Sequence, residues 1–143
     1  LIVYFDTSAI VPIVIDEPSS TVASRLWDEA DRVVSSRLVY AEGRAALAMA
    51  YRLDRIDERG LREAMDTFES LNDQLDVIEV TAELIREAGG LAEQLSLRGY
   101  DAVHLASASL VDDAEMVLAA GDKSLLVAAQ AIGLATADLT SCS

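Results

Sequence analysis

Leu1-Ile2-Val3-Tyr4-Phe5-Asp6 is the stretch whose reading decides the fold. Five apolar residues rich in β-formers, with no polar alternation, predict a strand over Leu1 to Phe5 buried on both faces, as in a parallel sheet covered on two sides. Asp6 ends that strand with a charge. The run carries no basic leader and no small-residue cleavage site, so it reads as a strand and not as a signal peptide.

Parallel neighbours need crossovers, and the rest of the chain supplies them. Thr7 and Ser8 are candidate caps for a short helix that stops near the Asp16-Glu17-Pro18 turn. Ser19 or Ser20 can cap the next helix, with Val22, Ala23, Leu26, Trp27 and Ala30 on one face. A strand over Arg32 to Ser35 precedes two long helices, Leu38 to about Arg52 and about Asp57 to Leu75, which look like a packed pair. The first should bury Leu38, Val39, Ala45, Ala46 and Met49, and the second Leu61, Met65, Phe68, Leu71 and Leu75. Beyond them, Asp76 to Val80 reads as a strand. Thr81 caps a helix with Leu84, Ile85, Ala88, Leu91, Ala92 and Leu95 inward, closed by Arg98-Gly99. A helix from near Asp101, a strand over Glu115 to Ala120, a helix over Lys123 to Ile132 and a short strand around Leu134 to Ala137 complete the chain. The expected architecture is one α/β domain over residues 1–143, a three-layer α/β/α sandwich around about five parallel strands.

Composition agrees. The 143 residues are 52% hydrophobic, enough for a core, with only 2 Pro and 7 Gly to break helices. The single cysteine, Cys142, rules out an intramolecular disulfide and any cysteine-based metal cluster, which suits a reducing, cytoplasmic setting. Apolar stretches such as Ala9 to Ile15 fall far short of the ~18 to 20 residues that span a bilayer, so no membrane association is expected. A net charge of -14 is a poor footprint for gripping phosphates. The objection weakens if part of that charge binds divalent cations, which reverse the local field, and an acidic surface suits a basic protein partner.

Most acidic residues decorate exposed helix positions, but four do not. Asp6 and Asp122 each follow a buried apolar strand, where ligand sites of parallel sheets lie. Glu42 lies on the same helical stripe as Leu38, Val39, Ala45 and Ala46, where burying an unpaired carboxylate would cost several kcal/mol. Asp101 opens a helix whose inward positions are Leu105 and Ala108, so the helix N-terminus can support its charge. Each also has a purely structural reading: Asp6 and Asp101 as helix caps, Asp122 as a turn residue, Glu42 paired with Arg44 or Arg37. If the four converge they repel, and a hard cation such as Mg²⁺ or Mn²⁺ resolves the repulsion with oxygen ligands alone. Phosphodiester hydrolysis follows from that chemistry.

Four stretches then match a known pattern: Val3-Tyr4-Phe5-Asp6-Thr7-Ser8-Ala9, Val39-Tyr40-Ala41-Glu42, Tyr100-Asp101-Ala102-Val103-His104-Leu105-Ala106 and Ala120-Gly121-Asp122-Lys123-Ser124-Leu125. In that order they resemble the motifs of PIN-domain VapC-type toxins and span nearly the whole chain. The resemblance implies a Mg²⁺-dependent endoribonuclease acting on RNAs of the translation machinery, neutralised by a VapB-type antitoxin and forming a homodimer. Asp6 and Asp101 resemble the main metal ligands, Glu42 and Asp122 complete the acidic quartet, and Ser8 resembles the hydroxyl that supports the first Asp. One position departs: the family often has Ser or Thr two residues before the last acid, and here it is Ala120.

Other residues read as structural. His104 is taken as a core or hydrogen-bonded histidine and not a proton shuttle. Trp27 and Tyr51 suit helix packing, and Gly89-Gly90 suits close helix contact. Arg37, Arg44, Arg52 and Arg55 are either solvated or RNA contacts near the Glu42 helix. Three rivals remain. A dehalogenase-like phosphatase wants a second Asp where Ser8 stands; a receiver domain wants paired acids near the first strand; a catalytically silent module would keep the fold without the activity.

Overall fold

The computed structural model describes residues 1–140; Cys142 lies outside them. Among the described residues the elements run β1 (Ile2–Phe5), α1 (Thr7–Val14), α2 (Ser20–Glu29), β2 (Arg32–Ser36), α3 (Leu38–Arg52), α4 (Glu58–Gln74), β3 (Asp76–Ile78), α5 (Ala82–Leu95), α6 (Gly99–Ser109), β4 (Met116–Ala120), α7 (Lys123–Ala131) and β5 (Ala135–Asp138). The strands form one sheet in the order β3-β2-β1-β4-β5, every pair parallel. The opening strand is central and buried at each position, as its unbroken apolar run requires.

Side chains of β1 alternate between two cores, because successive residues of a strand point to opposite faces. Val3 and Phe5 join the core built with α1, α2, α3 and α4, where Phe5 packs against Trp27. Ile2 and Tyr4 join the core built with α6 and α7, on which α5 also packs. The sheet is thus covered on both faces, which is the expected three-layer sandwich.

Local details depart from the sequence reading where side-chain contrast is weak. Thr7 and Ser8 lie inside α1, and Asp6 is its cap, accepting from the Ala9 N–H. Ser19 occupies the cap position of α2 without using its hydroxyl, whereas Ser20 accepts from the Glu17 N–H and donates to the Ile15 carbonyl. Thr81 caps α5 as expected. That helix closes at Leu95 through Ser96 in a left-handed conformation, so Arg98-Gly99 opens α6 instead of ending α5.

Two helix faces are also corrected. On α3 the buried residues are Val39, Gly43, Leu47 and Ala50, and Met49 is 52% exposed. An alanine-rich helix has little apolar contrast to fix its rotation, so close packing decides, and Gly43 faces the Phe68 ring of α4, where a Cβ would not fit. On α5, Leu84 and Ala88 are buried while Ile85 points outward. Tyr51 is largely exposed, and Gly89 and Gly90 face open space, so neither reading as a packing residue holds.

A Cβ at Gly43 would lie 2.2 Å from the Phe68 Cζ, and that ring is fully buried and cannot swing away. Replacing a mid-helix Gly by Ala gains about 1 kcal/mol in helix propensity, but overpacking a filled core costs about 1 to 3 kcal/mol. With so close an approach the upper part of that cost applies, so Gly43→Ala should lower stability by about 1 to 2 kcal/mol in denaturant melts. Adding Phe68→Leu should recover part of that loss. A Gly43→Ala chain as stable as wild type would show that the α3–α4 contact is loose.

Candidate active site

In this sheet the chain moves from β1 outward to β2 and β3, then returns to place β4 on the other side of β1. The carboxyl ends of β1 and β4 therefore flank a topological switch point, where crossovers on opposite faces leave a crevice. A cleft of about 460 Å³ opens there, lined by Asp6, Glu42, Asp101 and Asp122 together with Ser8, Thr7 and His104. All four sequence-predicted carboxylates thus reach one place, and Ser8 with them.

Asp6 is held by its local fold. Its carboxylate accepts from the Ala9 N–H at 3.1 Å and from the Ser8 hydroxyl at 2.7 and 2.9 Å. Ser8 Oγ in turn accepts from the Gly121 N–H at 2.8 Å, so one hydroxyl ties the end of β1 to the loop after β4. This is the support for the first Asp that the sequence pattern implied. Asp6 is only 4% exposed, and burial pushes its carboxyl up to about 6, against the opposing pull of His104 and the Ser8 and Ala9 hydrogen bonds. The residue that caps α1 also lines the cleft.

Asp101, in the first turn of α6, is equally buried. Burial raises its pKa, the nearby Asp122 carboxylate raises it further, and Arg98 works against both. Arg98 bridges the two acids, donating to Asp101 Oδ2 at 3.3 Å and to Asp122 Oδ2 at 3.2 Å, with its guanidinium over the Tyr100 ring. Asp122 caps α7 through the Leu125 N–H at 3.0 Å. It is a turn and cap residue that also lines the cleft.

Glu42 stands at the rim of the α3 core face, neither paired with Arg44 nor with Arg37. Its Oε1 accepts from the Thr7 hydroxyl at 2.7 Å and from His104 Nε2 at 2.6 Å. His104 is buried and hydrogen-bonded, as read from the sequence, but it also reaches the cleft. Thr7 and Arg98 were not singled out as site residues. The signals were positional: Thr7 adjoins Asp6, and Arg98 and His104 stand three residues either side of Asp101, on one helix face.

The donor set fits a hard divalent cation. Two buried carboxylates raised by desolvation, with oxygen donors beside them, are the chemistry that Mg²⁺ or Mn²⁺ satisfies. Among the described residues no three of these acids are already drawn together at ligand spacing. Arg98 takes hydrogen bonds at Asp101 and Asp122 that a cation would compete for.

A parallel α/β sandwich with an acidic crevice at its switch point is an architecture shared by several classes of cation-binding phosphate enzymes and signalling domains, and the sequence comparisons narrow it. The signature of the PIN domain matches residues 3–131. Ribonuclease VapC45 of Mycobacterium tuberculosis is 45% identical over 132 residues, covering 92% of each chain. The chain belongs to the PIN-domain family, in its VapC-type ribonuclease branch. Solved structures share the fold at low identity. VapBC2 from Rickettsia felis, bound to a DNA fragment from its promoter, has a TM-score of 0.65 at 16% identity and covers 96% of this chain and 98% of its own. VapC20 of Mycobacterium tuberculosis, described as a sarcin-ricin loop cleaving toxin, has a TM-score of 0.63 at 21% identity and covers 92% and 95%.

The raised Asp6 pKa gives a signed expectation. The folded chain keeps the proton to about pH 6, while an unfolded Asp loses it near 3.8, so the stabilisation is complete below about 3.8 and is lost as pH rises through about 6. With chelator present, wild type should lose up to about 3 kcal/mol relative to Asp6→Asn between pH 4 and pH 7. Denaturant titrations across that range measure it. A difference that stays flat with pH would mean that Asp6 is not a desolvated carboxyl.

Proposed function

We propose that this chain is a Mg²⁺-dependent endoribonuclease, the toxin of a type II toxin–antitoxin pair, with Asp6, Glu42, Asp101 and Asp122 as its metal-binding acids. The observation that carries the reading is the convergence of these four residues, from four separate stretches of sequence, on one cleft at the switch point. Family membership and 45% identity to a named ribonuclease support the same activity.

Each residue has a distinct task. Asp6 and Asp101, the most buried acids, would hold the cation, and Glu42 and Asp122 would complete the oxygen set. Mg²⁺ bound there supplies acidified water and offsets negative charge on the scissile phosphate. Ser8 keeps the Asp6 carboxylate fixed through its two short contacts. Arg98, once freed from Asp101 and Asp122, is placed to meet a phosphate. Arg55 lines the far side of the same cleft beside Glu17. Of the arginines considered for RNA contact, Arg37 is tied to Glu79 and Arg44 to Tyr40 and Glu69.

RNAs of the translation machinery are the substrate class, supported by the description of VapC20, and a VapB-type antitoxin is the partner, supported by the VapBC2 complex. A homodimer is the proposed assembly.

A structured ribosomal or transfer RNA incubated with the protein and Mg²⁺ should be cut, and chelator should stop it. Asp6→Asn and Asp101→Asn should each lower the rate at least about a hundredfold, the scale expected when a charge essential in the transition state is removed. Cleavage that survives chelator, or survives both substitutions, sinks the mechanism. RNA binding without cleavage by wild type in Mg²⁺ or Mn²⁺ would favour the silent-module reading.

A further inference from the structure

The polar groups buried beneath the cleft form a chain that the acidic quartet does not explain. Tyr4, in the middle of the central strand, has its hydroxyl 2.7 Å from His104 Nδ1, and His104 Nε2 lies 2.6 Å from Glu42 Oε1. Tyr4 is fully buried and His104 is 1% exposed. The tyrosine and imidazole rings meet edge to face with centroids 5.9 Å apart, so each ring braces the other.

The direction of the chain follows from its end. A carboxylate can only accept, so His104 Nε2 carries the hydrogen that it gives to Glu42. With Thr7 also donating, both contacts fall on Oε1, and Oε2 takes no hydrogen bond among the described residues. One oxygen of Glu42 is thereby fixed and the other is left for the cleft. A histidine needed only for packing is better replaced by an apolar side chain, because burying two ring nitrogens and a phenol is costly unless each finds a partner. Here all of them do, and the last partner is a site residue.

We infer that the buried pair Tyr4 and His104 is a positioning device for Glu42, holding Oε1 so that Oε2 is presented to the divalent cation. His104 is then a positioning residue and not a catalytic one. The inference rests on the proposed metal-binding role of Glu42. Outer partners of metal-ligating groups act in this way, and losing one typically costs roughly tenfold or more in metal affinity.

His104 is the sole histidine of the chain, so its imidazole gives a single, unambiguous NMR signal. The test has two arms on the full-length protein. In the first, long-range proton–nitrogen spectra of the ring in metal-free protein should show a protonated Nε2 whose signal moves in Glu42→Gln, with Nδ1 moving in Tyr4→Phe. In the second, Mn²⁺ is titrated calorimetrically into wild type, His104→Leu, His104→Gln and Tyr4→Phe. His104→Leu should bind Mn²⁺ roughly tenfold more weakly. His104→Gln, whose side-chain amide can still donate to Glu42, should recover most of that loss, a rescue that simple packing would not predict. Should His104→Leu fail to fold, Tyr4→Phe keeps the ring and removes only the hydroxyl, and it should still bind Mn²⁺ measurably more weakly.

Wild-type affinity in both His104→Leu and Tyr4→Phe overturns the inference, as does an imidazole signal indifferent to Glu42→Gln. A wild type that binds no Mn²⁺ instead overturns the metal reading on which the inference rests. The first arm needs no metal, so it tells those two failures apart.

Discussion

Repulsion among carboxylates gathered at the ends of β1 and β4 is the constraint around which the local structure is built. Asp6 and Asp101 are nearly withdrawn from water, which raises the proton affinity of both; the Asp101 charge raises that of Asp6 further, and Asp122 that of Asp101. Each acid is therefore surrounded by donors: the Ser8 hydroxyl and Ala9 N–H at Asp6, Arg98 at Asp101 and Asp122, Thr7 and His104 at Glu42. These contacts hold the acids in place without neutralising the site. On the proposed function, desolvation would favour a cation at these acids, and hydrogen bonding would keep them oriented for one.

Why the acids meet at all is a matter of topology. β1 lies between β2 and β4, and the chain passes to opposite sides of it, so the residue after Phe5 and the loop after Ala120 open onto the same crevice. Ser8 makes this juxtaposition rigid, bonding Asp6 on one side and the Gly121 N–H on the other. Ala120, where a hydroxyl is often found in the family, is wholly buried against the sheet. In this chain the link between the two strand ends runs through Ser8.

Much of this was legible in the sequence because the relevant signals were strong. The apolar run before Asp6 could only be a central strand, and the acids at strand ends stood out against an apolar background. The quartet and Ser8 line one cleft, with the four acids proposed as the metal set and Ser8 as the hydroxyl that supports Asp6. What failed were distinctions that depend on close packing. α3 contains so many alanines that hydropathy could not tell its buried face from its exposed one, and Gly43, a residue with no side chain, settled the matter by admitting Phe68. Arg98 was read as a helix end because Gly99 follows it, yet its guanidinium is the counter-charge for two acids. His104 was read correctly as buried, but burial alone could not reveal that its second nitrogen faces Glu42.

The net charge of -14 looked unfavourable for an RNA enzyme, and the structure shows how local order changes that expectation. Many basic side chains are already engaged at the surface: Arg32 with Asp76, Arg37 with Glu79, Arg59 with Glu63 and Arg62 with Glu58. Such exposed pairs contribute little stability. Their effect is to offset positive charge on the general surface; Arg55, paired with Glu17, and Arg98, paired with Asp101 and Asp122, are cations that line or border the acidic cleft. On the proposed function, RNA is then attracted less by the body of the protein than by the site itself once a cation has reversed its field. On that proposal the protein would bind nucleic acid weakly without its metal, and its acidic exterior would stay available to a basic partner. The same charge that argues against a general RNA-binding surface thus favours a nuclease whose grip is confined to its active cleft.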